Sequence, residues 1–194
     1  MRRNLITAVL YTVVTTVIFG LVYPLVVTGL AQLMFHDKAN GQLLLRKGQL
    51  VGSRIIGQPF TAPQYFHSRP SAAGNGYDAT NSGGSNYAPT NKKLIDRVSG
   101  DVAALQAEHP GSDIPIDLVT ASGSGLDPDI SLAAAEFQVS SIAAQRHLSE
   151  DTVRKLVSQH TEGRQLGFLG EPRVNVLLLN LDLDQLAAQA VSPK

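Results

Sequence analysis

Cysteine is absent from the 194-residue sequence. The absence excludes thiolate catalysis, iron–sulfur clusters and zinc sites with cysteine ligands. It also excludes disulfide bonds, so a domain outside the cytoplasm has to be stabilised by packing alone.

Sequence motifs typical of enzymes are missing as well. The chain has no G-x-x-x-x-G-K-[ST] phosphate loop, no H-E-x-x-H zinc motif and no G-x-S-x-G nucleophile motif. Its five histidines are scattered without the spacing of metal ligands. No pattern pairs a nucleophile with a base, so the residues predict no catalytic site, no metal site and no directly bound cofactor.

Charged side chains are absent from residues 5–35, an almost entirely apolar run of 31 residues. About 20 such residues cross the hydrocarbon core of a bilayer, which is about 30 Å thick. A soluble core helix keeps a polar face, which this run lacks. The apolar region of a cleaved signal peptide is about 7–15 residues long, much shorter than this run. We therefore predict one transmembrane helix at residues 5–35, retained as an anchor.

The residues around and within this helix predict its orientation and its shape. Arg2 and Arg3 precede the apolar run. The positive-inside rule then places residues 1–4 in the cytoplasm and residues 36–194 outside it. Pro24 removes one backbone donor and predicts a kink, which transmembrane helices tolerate when a neighbour covers the freed carbonyl.

Strong basic character is also lacking. Without Arg2 and Arg3, fourteen basic residues face sixteen acidic ones, which is a net charge near −2. Nucleic-acid binding needs a basic patch, so we expect no nucleic-acid partner. Docking on anionic lipid needs clustered lysine and arginine, which this charge balance argues against.

Residues 36–194 mix two periodicities, and we predict one α+β domain. Apolar positions three or four residues apart predict helices that begin at Thr90 or Asn91, near Ser131 and at Ser149. Short apolar or alternating runs predict strands, namely Leu43–Leu45, Gln49–Ile56, Ile114–Val119 and Val174–Asp184. The predicted fold class is therefore α+β, with a single N-terminal transmembrane helix before the domain.

Residues 61–91 are rich in glycine, serine, asparagine, threonine and proline. Such a composition is typical of a flexible linker. The segment nevertheless contains four aromatic residues, whereas disordered segments are depleted in them: Tyr65, Phe66, Tyr77 and Tyr87. We therefore favour an ordered long loop. Arg69 either holds this loop together by bonding carbonyls or docks a partner, and the sequence leaves both open.

Ser122–Gly125 precedes a predicted helix and allows two interpretations. A glycine-rich turn before a helix can seat a phosphate on free N–H groups. Asp127 and Asp129 lie at the same predicted helix start and would repel an anion, so we favour a tight turn with an acidic cap. Two carboxylates also fall short of the six or more oxygens that hard cations prefer.

Seven sequence blocks occur in a characteristic order: VVTTVIFGLVYPLVVTGLAQ, ANGQL, GSRIIGQPF, YFHSRPSAA, SGGSNYAPTN, ASGSGLDPDIS and LGFLGEPRVNVLLLN. From about Val13 to Leu183 they closely resemble the KdpC family, the C subunits of the bacterial potassium-transporting ATPase complex KdpFABC. The combination of the RPS, SGGSN and SGLDP blocks carries most of this resemblance. Asp129 departs from it, because the family often has histidine there.

The resemblance implies a non-catalytic subunit of an ATP-driven potassium uptake complex in the bacterial inner membrane. In that family the partners are a channel-like subunit (KdpA), a P-type ATPase subunit (KdpB) and a small subunit (KdpF). The complex uses ATP, Mg²⁺ and K⁺, and ATP hydrolysis belongs to KdpB. The matching blocks contain four candidates for docking a partner or ordering a loop, namely Arg69, Ser71, Asn86 and Asp127.

The resemblance leaves the role of the subunit open among assembly, stabilisation and help with ATP use. We expect the outer domain to cap the potassium entrance. There its acids would raise the local cation concentration, namely Asp127, Asp129, Asp182 and Asp184. The alternatives are a membrane-anchored periplasmic ligand-binding module that uses residues 123–129, and a free-standing membrane-anchored enzyme, for which the sequence offers no catalytic candidate.

Overall fold

The structure, a computed structural model, describes the backbone of residues 1–191 and the side chains of residues 1–186. The chain divides into two compact units, Met1–Val51 and a second that begins at Gly52. Both helix and sheet are present, which confirms the α+β class. The sequence predicts that the chain leaves the membrane at residue 36. This boundary stays a prediction.

The first unit begins with a long apolar helix. Its α-helical parts are α1 (Arg2–Val17) and α2 (Tyr23–Met34), and a π-helical turn at Ile18–Val22 joins them. The combined helix has a mean hydropathy of 2.3 in its most apolar window, and none of that window is buried. In the described part of the chain it is the one helix long and apolar enough to cross a membrane, as predicted for residues 5–35.

The π-helical turn has a local cause in Pro24, the second residue of α2. Proline lacks the N–H that would bond the carbonyl four residues earlier, and its ring crowds that carbonyl, here the one of Gly20. A widened turn directly before a proline relieves this crowding. The predicted kink at Pro24 remains a prediction.

A short helix α3 (His36–Ala39) and two strands follow the apolar helix. Strand β1 (Leu43–Arg46) and strand β2 (Gln49–Ser53) form a hairpin close to the predicted positions. Lys47 and Gly48 make the turn, both with positive φ. Two left-handed residues at a two-residue turn match the right-handed twist of the strands.

The second unit contains four longer helices and a small sheet. The helices are α4 (Lys92–Glu108), α5 (Leu132–Arg146), α6 (Glu150–Gln159) and α7 (Val176–Val191). The strands are β3 (Asp129–Ser131), β4 (Thr161–Glu162) and β5 (Arg173–Asn175), antiparallel in the order β3-β5-β4. A 3₁₀ turn at Ile116–Leu118 connects α4 to this sheet.

The predicted helix starts are confirmed by their caps. The side chain of Asn91 accepts a hydrogen bond from the Lys93 N–H at the start of α4. Ser131 and Ser149 cap α5 and α6 in the same way. Each cap satisfies a backbone donor that has no partner inside the helix.

Two predicted strands are wrong. Ile114–Val119 contains the 3₁₀ turn instead, because Pro115 has no N–H for a sheet and Ile116 is 75% exposed. In Val174–Asp184 the strand ends at Asn175, whose side chain accepts from the Leu178 N–H and starts helix α7. Alternating leucines suggested a strand, but leucine favours helices, and the buried positions of α7 recur at helical spacing.

The core lies where α5, α6 and α7 pack on one another and on the sheet. Its buried side chains come from every one of these elements, including Ile130, Val139, Val157, Val174 and Leu183. The loop of residues 61–91 contributes Phe66, which is fully buried. Tyr77 is half-buried, whereas Tyr87 is 41% exposed and does not hold the loop.

Two buried amide side chains hold the backbone beside Phe66. Asn180 on α7 accepts from the Phe66 N–H at 2.8 Å and donates to the Phe66 carbonyl at 2.9 Å. Gln138 on α5 accepts from the His67 N–H at 2.7 Å and donates to the His67 carbonyl at 3.2 Å. The backbone N–H and carbonyl groups of Phe66 and His67 are therefore all hydrogen-bonded, as they would be inside a sheet. We call this arrangement the amide clamp.

Arg146, the last residue of α5, extends this attachment toward the start of the loop. Its side chain donates to the Gln64 carbonyl at 2.8 Å and pairs with Asp184 on α7 at 2.8 Å. The guanidinium lies over the Tyr65 ring, 4.7 Å from its centroid, and the Tyr65 hydroxyl donates to Asp184. Contacts of one arginine with a carbonyl, a carboxylate and an aromatic face fix the position of all three.

The amide clamp predicts a large cost for Asn180→Leu. Leucine has a similar size but leaves the buried N–H and carbonyl of Phe66 without partners, each at a cost of about 1–3 kcal/mol. We expect the free energy of unfolding to fall by about 2–4 kcal/mol. Urea unfolding of the full chain in detergent measures it, with Asn81→Leu at an exposed position of the same loop as the control. Equal stability of the two variants would contradict this account.

Candidate functional site

The candidate residues Arg69 and Asp127 meet where the long loop contacts the turn before β3. Arg69 Nη1 lies 2.9 Å from Asp127 Oδ2, and Arg69 Nε donates to the Thr120 carbonyl at 3.3 Å. Both charged side chains are about three-quarters buried, with 26% and 29% exposed. The pair therefore joins two segments that are more than fifty residues apart in the chain.

Ser71 makes the second link between the same two segments. Its hydroxyl donates to the Gly125 carbonyl at 2.6 Å and accepts from the N–H groups of Tyr77 and Ala73. One side chain thus closes a turn within the loop and attaches that turn to residue 125. Such bonds from short polar side chains to the backbone replace regular secondary structure here.

Gly125 explains how closely the two segments approach. Its φ is +66°, and a Cβ at this position would lie 2.6 Å from the Ala73 nitrogen and 2.7 Å from the Gly83 carbonyl oxygen. Another residue would meet backbone atoms that have no room to move, in a conformation that already disfavours side chains. Glycine is therefore required for this contact.

Tyr77 closes the loop over Arg69. Its hydroxyl donates to the Arg69 carbonyl, which links two residues eight positions apart in the loop. Burial raises the pKa of Tyr77, and the neighbouring Ser68 hydroxyl opposes the shift only in part. The tyrosine therefore stays neutral and remains a hydrogen-bond donor at ordinary pH.

The fourth candidate, Asn86, lies away from this arrangement. It is exposed and has a φ of +52°, a conformation that asparagine tolerates better than most residues. The structure thus brings together Arg69, Ser71 and Asp127, and it places Asn86 on the outer part of the loop. Partner docking by any of the four stays a prediction.

The Ser122–Gly125 turn uses its own polar groups. The Gly125 N–H donates to the Ser122 hydroxyl at 2.9 Å, and the Leu126 N–H donates to the Ser124 hydroxyl at 3.1 Å. These two donors are therefore not directed at a ligand. The turn leads into strand β3 rather than directly into a helix, which corrects the expected placement of Asp127 and Asp129 at a helix start.

Asp129 occupies the groove beside this turn, a cavity of about 470 Å³ that also includes Asp117, Asp127 and Arg173. Arg173 Nε lies 3.0 Å from one oxygen of Asp129, and the Asn175 amide donates to the other at 3.2 Å. Burial raises the pKa of Asp129, against the effects of Asn175 and Arg173. Within the described residues no group of three or more His, Asp or Glu could hold a metal ion.

A second cavity, of about 640 Å³, lies between α4 and α5 and was not predicted. The His109 ring packs on Phe137 at 4.3 Å between centroids, and its Nε2 lies 3.2 Å from the Ser141 hydroxyl. A serine–histidine contact becomes a nucleophile only with a third group that orients the ring and with donors for an oxyanion. The contact attaches the end of α4 to α5, and the sequence pattern carries no signal for it.

The Arg69–Asp127 pair should contribute more to stability than an exposed pair. A double-mutant cycle with Arg69→Met and Asp127→Asn is expected to give a coupling of about 1–2 kcal/mol, because both groups are largely buried and hydrogen-bonded. The same cycle on the exposed Lys92–Asp96 pair of α4 is the control, with an expected coupling below about 0.5 kcal/mol. Urea unfolding of the full chain measures both. Equal couplings would show that the pair does not order the loop.

The raised pKa of Asp129 predicts a pH effect of known sign. Folding makes this acid hold its proton more tightly, so its contribution to stability falls as pH rises through the pKa of the folded state. Asp129→Asn removes that contribution. The difference in unfolding free energy, wild type minus variant, should therefore fall as pH rises above about 4, the ordinary pKa of an aspartate. A difference that rises with pH would mean that Arg173 dominates.

Asp78 provides the control of opposite sign. Hydrogen bonds from the Thr80 side chain and backbone lower its pKa. Its contribution is present above the unfolded pKa and is lost as pH falls through the folded one. The difference between wild type and Asp78→Asn should therefore shrink on acidification.

Comparison with known proteins gives one consistent result. The family model described as "KdpC: K+-transporting ATPase, c chain" matches residues 5–185. The potassium-transporting ATPase KdpC subunit of Koribacter versatilis is 67% identical over 184 residues, which is 95% of each chain. The subunits of the same name from Acidobacterium capsulatum and Mycobacterium tuberculosis are 58% and 54% identical, over 95% and 96% of this chain and 99% and 100% of theirs. The chain therefore belongs to the KdpC family of potassium-transporting ATPase subunits.

Proposed function

We propose that this chain is a non-catalytic subunit that assembles with, and stabilises, the channel-like and P-type ATPase subunits of a potassium uptake complex. Membership of the KdpC family over nearly the whole chain carries the proposal. The structure adds that Arg69, Ser71 and Asp127 hold the long loop against the turn before β3. Such residues shape a surface rather than carry out a reaction.

The apolar helix supports assembly within a membrane. None of the side chains of residues 2–34 is buried, and most of them are exposed. Lipid can cover such a surface, but a partner helix is favoured where a backbone carbonyl is left unpaired and small residues allow close approach. Pro24 lacks the N–H that would pair the Gly20 carbonyl in a regular α-helix, and Gly20 itself has no side chain. We infer that a helix of a partner subunit packs against this part of the chain.

The orientation follows from the charges at the two ends of this helix. Arg2 and Arg3 hold the N-terminus in the cytoplasm, and the domain that follows the helix lies outside it. In this arrangement the domain cannot reach cytoplasmic ATP. Any effect on ATP use by the partner subunit would pass through the apolar helix or through the partners themselves.

The outer domain would cap the potassium entrance by docking rather than by attracting cations. Three of the four aspartates expected to attract potassium face an arginine, namely Asp127 with Arg69, Asp129 with Arg173 and Asp184 with Arg146, and Asp182 lies 2.8 Å from His160 Nε2. Paired charges cancel much of each other's field at a distance. The expected rise in local cation concentration therefore has little support, and we base the cap on surface contact alone.

A pull-down tests the proposed assembly. The tagged full chain, extracted from its native membrane in mild detergent, should recover a P-type ATPase subunit and a channel-like subunit with potassium-stimulated ATPase activity. A variant with residues 5–35 scrambled at constant composition is the matched control, and it should recover much less because its packing positions are lost. A wild-type chain that is folded but recovered alone would overturn the proposal.

Labelling of a single thiol in the same cells tests the orientation. Because the chain has no cysteine, Asn81→Cys introduces a unique thiol at an exposed position of the domain. We expect a membrane-impermeant maleimide to label it when it is added outside the inner membrane of intact spheroplasts. Labelling that requires lysis would place the domain in the cytoplasm.

A further inference from the structure

The connection between β4 and β5 ends in an exposed apolar turn. Gln165 and Leu169 exchange backbone hydrogen bonds, each 2.9 Å long, and enclose Leu166, Gly167 and Phe168. We call residues 165–169 the hairpin tip. Leu166 is 83% exposed, Phe168 69% and Leu169 47%. Three large apolar side chains next to one another in water form a patch that needs an explanation.

The hairpin tip is held in one shape. Leu166 and Gly167 both have positive φ, as a tight turn between antiparallel segments requires. At its base Arg164 pairs with Glu171 at 2.6 Å. A turn fixed by backbone bonds and an ion pair loses little conformational entropy when it binds, which favours recognition by a surface of complementary shape.

Charges of both signs surround the base of the hairpin tip. Glu162 on β4 bonds Arg54 at 3.0 Å and Arg173 at 2.8 Å, and the Arg164–Glu171 pair lies nearer the turn. An apolar centre with a rim of paired charges is the usual arrangement of a protein–protein interface. A loop that binds lipid is typically accompanied by basic residues, whereas Glu171 beside this turn is 77% exposed.

We propose that the hairpin tip docks into an apolar concavity on the outer face of an integral-membrane partner subunit of the ATPase complex. The proposal rests on the proposed function and names one surface by which that assembly is made. Phe168 and Leu166 fill the concavity, and the charged rim around Glu162 and Glu171 meets polar groups of the partner.

The size of the hairpin tip argues against a second copy of this chain as the occupant. A stable pair of free proteins buries about 800 Å² on each partner, which is much more than three side chains offer. A contact of this size is sufficient within a complex that other contacts also hold, because the apolar helix raises the local concentration of the domain beside its partner.

Photocrosslinking in the assembled complex tests this surface directly. Phe168 is replaced by p-benzoylphenylalanine, which retains the aromatic ring, in the full chain expressed with its native partners. We expect irradiation to join position 168 to a channel-like or P-type ATPase subunit identified by mass spectrometry. The same residue at Ile95, 51% exposed on α4, is the matched control and should give a weaker product or none. Products with lipid alone, with a second copy alone, or with no partner subunit would each overturn the proposal.

A retention measurement gives the size of the effect. Phe168→Ser should reduce the amount of partner subunits retained through a detergent wash series by about tenfold, as expected for a central aromatic contact. Ile95→Ser should leave retention at the wild-type value. Equal retention of the two variants, with the wild-type complex intact, would reject the docking surface and leave the proposed function in place. Failure of the wild-type chain to retain partners would reject the proposed function itself.

Discussion

The amide clamp on Phe66 and His67 is the interaction on which the order of the second unit depends. The side chain of Phe66 is fully buried in the core, and burial of its backbone would cost several kcal/mol if the N–H and carbonyl had no partners. Asn180 and Gln138 supply those partners from two different helices. The buried phenylalanine and the buried amides therefore require one another. This constraint makes a segment without regular secondary structure part of the core.

A second consequence is that the segment after the clamp is fixed in position. Arg69 follows Phe66 by three residues, and it reaches Asp127 because its backbone is already held. The contact at Gly125 is then close enough to exclude any side chain. Glycine, serine and asparagine are suited to this arrangement because they allow tight turns and bond the backbone directly. The composition that is typical of a flexible linker here builds a packed layer, because a few large residues attach it to the helices.

The success of prediction from the sequence depended on how local each feature was. The apolar run and the caps Asn91, Ser131 and Ser149 are local signals, and each matched the structure. Helix α7 was missed because its leucines fit both the two-residue period of a strand and the 3.6-residue period of a helix. The helix start is decided by Asn175, whose side chain accepts from the Leu178 N–H only once the chain has folded. The clamp was missed for a different reason. Asn180 lies 114 residues from its partner, and a polar residue that alternates with leucines usually indicates the solvated face of a strand. The family resemblance, rather than any residue pattern, indicated potassium transport.

The described side chains divide into charged groups that are paired and apolar groups that are exposed. Its conspicuous charges are used internally, since Arg69, Arg146 and Arg173 each face a carboxylate. Its conspicuous apolar groups are not, because no side chain of residues 2–34 is buried and those of the hairpin tip are exposed. A protein that satisfies its polar groups and leaves apolar ones uncovered gains free energy mainly by association. This surface supports the proposed role in assembly, in which the chain would contribute the free energy that holds other subunits in one arrangement.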